Sequence, residues 1–198
     1  RFFSLFATDT ANIAFMINIM SALCSALTIL FLFWSVSAFA KKIVSPEGDI
    51  TLANKIAILG SALVGGLTYT FSDSFWFSAT EGEVYAMSSF FTAITFWAIL
   101  KWESEADDKY SSRWIILIAY LIGLSIGVHL LNLLAIPAVI FIYFFKKHEV
   151  NKMALMKVFL LAVIVTGGLQ GFIIPGIVSL AGKFELFFIN TAGLPFNT

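Results

Sequence analysis

Charge is what this sequence most lacks. Only 12% of its 198 residues are Asp, Glu, Lys or Arg, against about a quarter in soluble domains. The 12 cations and 12 acids balance to zero. There is no basic face for nucleic acid and no acidic tail. A single cysteine, Cys24, excludes an internal disulfide, and its mid-span setting in MSALCSAL makes it a small packing or lipid-facing residue. There is no phosphate-binding glycine loop, no HExxH zinc spacing and no GxSxG nucleophile elbow, so nothing supports a soluble-enzyme mechanism. Buried rows of Lys, Arg or Asp, as an ion pump would carry, are also missing from the apolar runs.

What is present is apolar. Hydrophobic residues make up 60% of the chain, 22 of them Phe, and the mean hydropathy is +0.93. Runs of ~18 residues or more recur, the length that crosses a ~30 Å hydrocarbon core. The sequence therefore predicts an all-α, polytopic transmembrane bundle forming a single transmembrane domain over 1–198. Its spans are expected at about 13–39, 55–71, 84–100, 114–127, 131–145 and 154–180. Both ends read as cut from a longer chain, since Arg1 stands at the start and no charged segment precedes the first apolar run.

The stretch 114–145 decides the topology. As one straight helix it would reach ~48 Å, well beyond the membrane core. Broken near GVHLLN (127–132), it becomes a short pair, and every Lys and Arg except Arg1 and Lys183 then falls on one side. The positive-inside rule favours that arrangement and makes it the cytoplasmic side. A break at membrane depth must line protein or water rather than lipid. Six membrane-embedded helices result, with both chain ends on the non-cytoplasmic side. Small residues four apart (Ser21/Ser25, Ala22/Ala26, Ser61/Gly65, Gly123/Gly127, Gly167/Gly171) mark close helix approaches.

Three features can carry chemistry, all on the non-cytoplasmic side. Glu81 and Glu83 bracket Gly82 at the start of a helix, where they can hold a divalent cation or serve an acceptor hydroxyl; equally, acids favour a helix N-terminus through its dipole. His129, with Asn132, lies in the helix break, where a titratable ring is costly without a partner; the structural alternative is a neutral imidazole bonded to a backbone carbonyl. Trp76 with its phenylalanine neighbours, and Tyr85, form either an interfacial aromatic belt or a groove for a lipid chain or sugar. His148, beside Lys146 and Lys147, reads as a surface residue.

FWFSATEGEVYAMSSFFTAITFWAILKWE (75–103) and RWIILIAYLIGLSIGVHLLNLLAIPAVIFIYFFKK (113–147) resemble a family of large bacterial polytopic proteins grouped with protein O-mannosyltransferase-like enzymes. The opening run (12–34) and FELFFINTAGLPFN (184–197) are similar to it too. The resemblance implies a GT-C fold, a membrane bundle that takes sugar from a polyprenyl-phosphate donor. It implies an exported protein or glycan hydroxyl as acceptor, and a bacterial inner membrane with the site facing the periplasm. Glu81 and Glu83 match the acids of the family's second loop, as catalytic or cation-holding residues, and His129 matches its GLSxGxH turn, near the donor phosphate. Tyr85, Trp76 and Asn132 join it as candidate substrate contacts. The resemblance also implies that the first-loop acid of the fold lies ahead of this sequence. Two other classes stay open on the residues alone: a transporter or flippase of lipid-linked material, and a non-catalytic membrane scaffold.

Overall fold

The computed structural model of the chain describes residues 3–7, 9–48 and 50–195, apart from the side chain of Leu131. Arg1 and Asp49 lie outside the described residues, as do 196–198 at the end of the closing aromatic stretch. All regular structure among the described residues is helical, in accord with the all-α expectation. The chain divides into two compact units, 1–135 and 136–198.

In the first unit, α1 (Ile13–Val44) is followed by α2 (Leu52–Thr70), the short α3 (Asp73–Thr80), α4 (Val84–Ser104) and α5 (Ser112–Ile126). With no charge before Lys41, α1 runs for 32 residues, roughly 48 Å at 1.5 Å per residue. It is the central helix and packs along α2, α3 and α4, while α4 also packs on α5. The face it buries carries Ser21, Ser25, Thr28 and Ser35, small residues at helical spacing that let neighbours approach closely. Opposite them, α2 buries Ala62 and Gly66, one position on from the Ser61/Gly65 pair of the sequence pattern; a Cβ on Gly66 would sit 3.6 Å from Ile29 Cγ2.

The short helix α3 occupies the stretch that the apolar pattern leaves as a loop. Eight residues rich in Ser and Phe form it, and packing against α1 holds it; its length is below anything periodicity alone resolves. The break at 127–132 is present. The first arm, α5, stops at Ile126, and the His129 N–H bonds to the Ser125 carbonyl at 2.8 Å. A 3-10 turn over Leu130–Leu134 precedes α6 (Ala135–Lys147), whose Pro137 suits a first turn, where its missing N–H costs nothing.

In the second unit, α7 (Lys152–Gly168) passes through a π-helical segment, Leu169–Ile173, into α8 (Ile174–Ala192). Pro175 has no N–H to return to the preceding turn, which accounts for the irregular register there. Helix continues to Ala192, where the sequence pattern ends a span near 180. Gly193 stops it in the left-handed conformation, φ +68°, which a residue with Cβ adopts only with strain.

Four helical stretches are long and apolar enough to cross a membrane: 10–44, 52–70, 84–104 and 152–192. Large apolar side chains point outward along them, with Phe159 60% and Ile164 60% exposed, while buried positions include Ser21, Thr95 and Asn132. Such inside-out polarity suits a hydrocarbon solvent. The chain is an integral membrane protein.

Candidate active site

The acidic loop is built by the ends of two helices. Glu81 caps the C-terminus of α3 with extended backbone (φ −103°, ψ 147°), and Glu83 is the N-cap of α4 (φ −106°, ψ 167°). Glu83 makes no side-chain capping bond, so its carboxylate is not engaged in holding the helix start. It is exposed, while Glu81 is half-buried. Gly82 fixes where the loop lies: a Cβ there would fall 2.9 Å from Ile17 Cγ2 and 3.0 Å from Asn18 Oδ1. The two acids are thereby pinned beside the N-terminal part of α1. Lys41 lies 23 positions further along that helix, roughly 35 Å away, so acids and lysines occupy opposite ends of the unit.

Tyr85, in the first turn of α4, brings the helix break to this loop. Its ring centroid is 5.8 Å from that of His129, at an interplanar angle of 47°. His129 is half-buried. Glu81, Glu83, Tyr85 and His129 thus gather at one end of the bundle, although the break lies more than forty positions further along the sequence than the loop.

Asn132 has a different setting. It is fully buried and donates through Nδ2 to Ser125 Oγ at 2.9 Å and to Thr95 Oγ1 at 3.3 Å. Ser125 in turn donates to the Ile122 carbonyl. The triad ties the 3-10 turn to α4 and α5, about 15 Å along α4 from Tyr85. Asn132 Oδ1 accepts no hydrogen bond among the described residues. Asn132 therefore shapes the break that carries His129 rather than facing the loop.

Trp76 stands on the α3 side. It is 54% exposed and stacks on Phe71 at 6.1 Å. One flank meets a shallow cleft of about 440 Å³ with Asp73 and Phe77. Its other flank meets a groove of about 270 Å³ beside Ala22, Ser25 and Ala26 of α1. The walls of this second groove are almost wholly apolar, a surface for hydrocarbon rather than for phosphate. The Phe75 ring beneath is buried against Tyr69 at 4.4 Å.

Among the described residues no group of three or more His, Cys, Asp and Glu is arranged to hold a metal ion. Glu81 and Glu83 suffice only for a cation that completes its shell with water and phosphate oxygens, the habit of Mg²⁺. Sequence reasoning did not single out Thr95, Ser125 or the Ile17–Asn18 contact. Hydroxyls in apolar runs carry no mark of which neighbour they will meet, and Gly82 is not among the small residues whose spacing marks close approaches.

The family model described as the Protein O-mannosyl-transferase TMEM260 N-terminal domain matches residues 1–152. That stretch takes in the acidic loop, Tyr85, the helix break and Asn132. No curated protein and no solved structure matches the chain.

Proposed function

We propose, for a chain that belongs to the family of the TMEM260 protein O-mannosyl-transferase N-terminal domain, that it serves transfer of mannose from a polyprenyl-phosphate donor to a hydroxyl of an exported protein. The acidic end of the bundle is the reacting end, facing the periplasm of a bacterial inner membrane. The observation that carries this reading is the Tyr85–His129 contact, which joins a loop of two carboxylates to a polar helix break.

Chemically, the acceptor oxygen attacks the anomeric carbon and forms the new C–O bond. The bond from that carbon to the phosphate oxygen breaks, and polyprenyl phosphate leaves with its electron pair. The acceptor proton passes to a carboxylate, and Glu83, exposed and free of a capping role, has the required access. His129, steadied by Tyr85, donates toward the leaving phosphate, where negative charge develops. Glu81 supports Glu83, and together they supply two carboxylates to a divalent cation where the donor brings one. Asn132 holds the break in shape. The apolar walls beside Trp76 accept the isoprenoid chain.

The test is mannose transfer from radiolabelled polyprenyl-phosphate mannose to exported proteins, with the protein in native membranes. Glu83→Gln should lower transfer by about 10²–10⁴-fold if Glu83 is the base, and His129→Ala should lower it as well. Undiminished transfer in both variants removes these residues from the site. Label that crosses to the opposite leaflet without reaching protein would favour a flippase instead.

A further inference from the structure

The end of the first unit remote from the acids holds an open cavity of about 980 Å³, at the upper end of the ~300–1,000 Å³ typical of ligand pockets. Lys41 and Lys42 from the last turn of α1, Lys55 from the first turn of α2 and Lys101 from the last turn of α4 line it. Trp34 and Trp97 form its apolar flank, their rings 5.7 Å apart. Among the described residues its lining contains no carboxylate.

Two of the acids on neighbouring elements already have partners, while Glu47, in the turn between the lining residues Pro46 and Gly48, is exposed and makes no ion pair with the wall among the described residues. Glu103 pairs with Lys42, and Glu105 accepts from Arg113 and Trp114, each at 2.7 Å. No ion pair among the described residues involves Lys41, Lys55 or Lys101, although the Lys101 charge also acts on Glu105 from a distance. Three ammonium groups around one void repel each other, and an anion between them removes that repulsion. Ser37, also on the wall, has a buried hydroxyl with no hydrogen-bond partner among the described residues, a further donor for an oxyanion.

Position selects the kind of anion. The lysines lie a bilayer thickness along α1 from the acidic loop, at the level where headgroups begin. Paired tryptophans mark the same interface. A cationic rim above an apolar wall matches a molecule with a phosphate at one end and hydrocarbon at the other.

We propose that this cavity binds an anionic phospholipid of the leaflet on the lysine side, its phosphate among Lys41, Lys55 and Lys101 and its acyl chains against Trp34 and Trp97. The proposal is independent of the mannosyl-transfer reading, whose site is at the other end of the bundle.

Native mass spectrometry of the protein in micelles holding equal phosphatidylglycerol and phosphatidylcholine tests it. Phosphatidylglycerol should be retained preferentially. The Lys41→Gln, Lys55→Gln, Lys101→Gln triple variant should weaken its retention on the order of a hundredfold, and Lys41→Gln alone about fivefold. The corresponding triple Arg variant should keep it. Bromine-labelled phosphatidylglycerol should quench tryptophan fluorescence more than the labelled zwitterionic lipid, and the difference should vanish in Trp34→Phe, Trp97→Phe. Equal retention of the two lipids overturns the proposal, as does retention unchanged in Lys41→Gln and the triple Gln variant. Displacement of the lipid by inorganic phosphate assigns the cavity to a soluble anion instead. Stronger retention of polyprenyl phosphate than of phosphatidylglycerol overturns the phospholipid assignment.

Discussion

The rings of Tyr85 and His129 meet at 5.8 Å, one from the first turn of α4 and the other from the gap after α5. Aromatic pairs at such separations are worth ~0.5–1.5 kcal/mol beyond the area they bury. If Tyr85 orients His129, the two residues act as a unit and their losses are not additive. Transfer should survive Tyr85→Phe, which keeps the ring, and fall in Tyr85→Leu. In a His129→Ala background Tyr85→Leu should cost little more. Fully additive losses in the mannose-transfer assay would mean that the rings act separately.

Gly82 yields the sharpest steric prediction. A methyl group there meets Ile17 Cγ2 at 2.9 Å and Asn18 Oδ1 at 3.0 Å. Asn18 can swing away, but a β-branched side chain on a helix has little rotamer freedom. Gly82→Ala should therefore displace the acidic loop and cost ~1–3 kcal/mol, as overpacking does. Ile17→Ala in the same protein should restore part of the loss. Gly123→Ala, where a Cβ meets nothing within 4 Å, is the control, and detergent thermal melts read all three.

Much of this arrangement was legible before any coordinates. Apolar runs bounded by Lys41, Lys55, Lys101 and Lys152 located the long helices, because the membrane imposes a minimum length on every crossing. The excessive length of 114–145 exposed the break at His129. Two things were not legible. Helix α3 is too short to show periodicity and depends on contact with α1. The continuation of α8 to Ala192 crosses Lys183 and Glu185, which read as an end of the apolar run although helix tolerates both. In the site, the acids and the histidine stood out as costly residues, but only tertiary packing sets Tyr85 against His129 and buries Asn132 between Thr95 and Ser125.

Asn132 offers a test of burial against bonding. Its Nδ2 donates to two acceptors, while its Oδ1 meets no donor among the described residues. Removing the side chain loses bonds that average ~0.6 kcal/mol each in membrane proteins and leaves a void that adds to the cost. Asn132→Leu loses the same bonds but fills the volume and deletes the unpartnered oxygen. It should therefore melt above Asn132→Ala, though below the unsubstituted protein. Asn132→Asp sets a carboxyl in a buried site and should be the least stable at neutral pH. A melting order with Asn132→Ala above Asn132→Leu would show that the amide oxygen is not a liability.

Glu105, in the loop beyond α4, gives the pH prediction. Its carboxyl is held below the ordinary value of 4.5, first by the hydrogen bond from the Trp114 indole, then by that from Arg113 and by its charge. A carboxyl with a depressed folded-state pKa stabilises the fold fully above the ordinary value, and the contribution disappears as pH falls through the folded value. The pair is solvent-exposed, so salt should weaken its Arg113 part. The melting temperature of the protein should exceed that of Glu105→Gln at pH 7, and the gap should close as pH drops below about 4.5. Trp114→Phe removes the larger of the two bonds without altering charge. It should shrink the gap and complete its closure at higher pH, since the folded-state value of Glu105 then lies nearer its ordinary one. A gap that persists unchanged well below pH 4 would place the source of stability outside the Glu105 carboxylate.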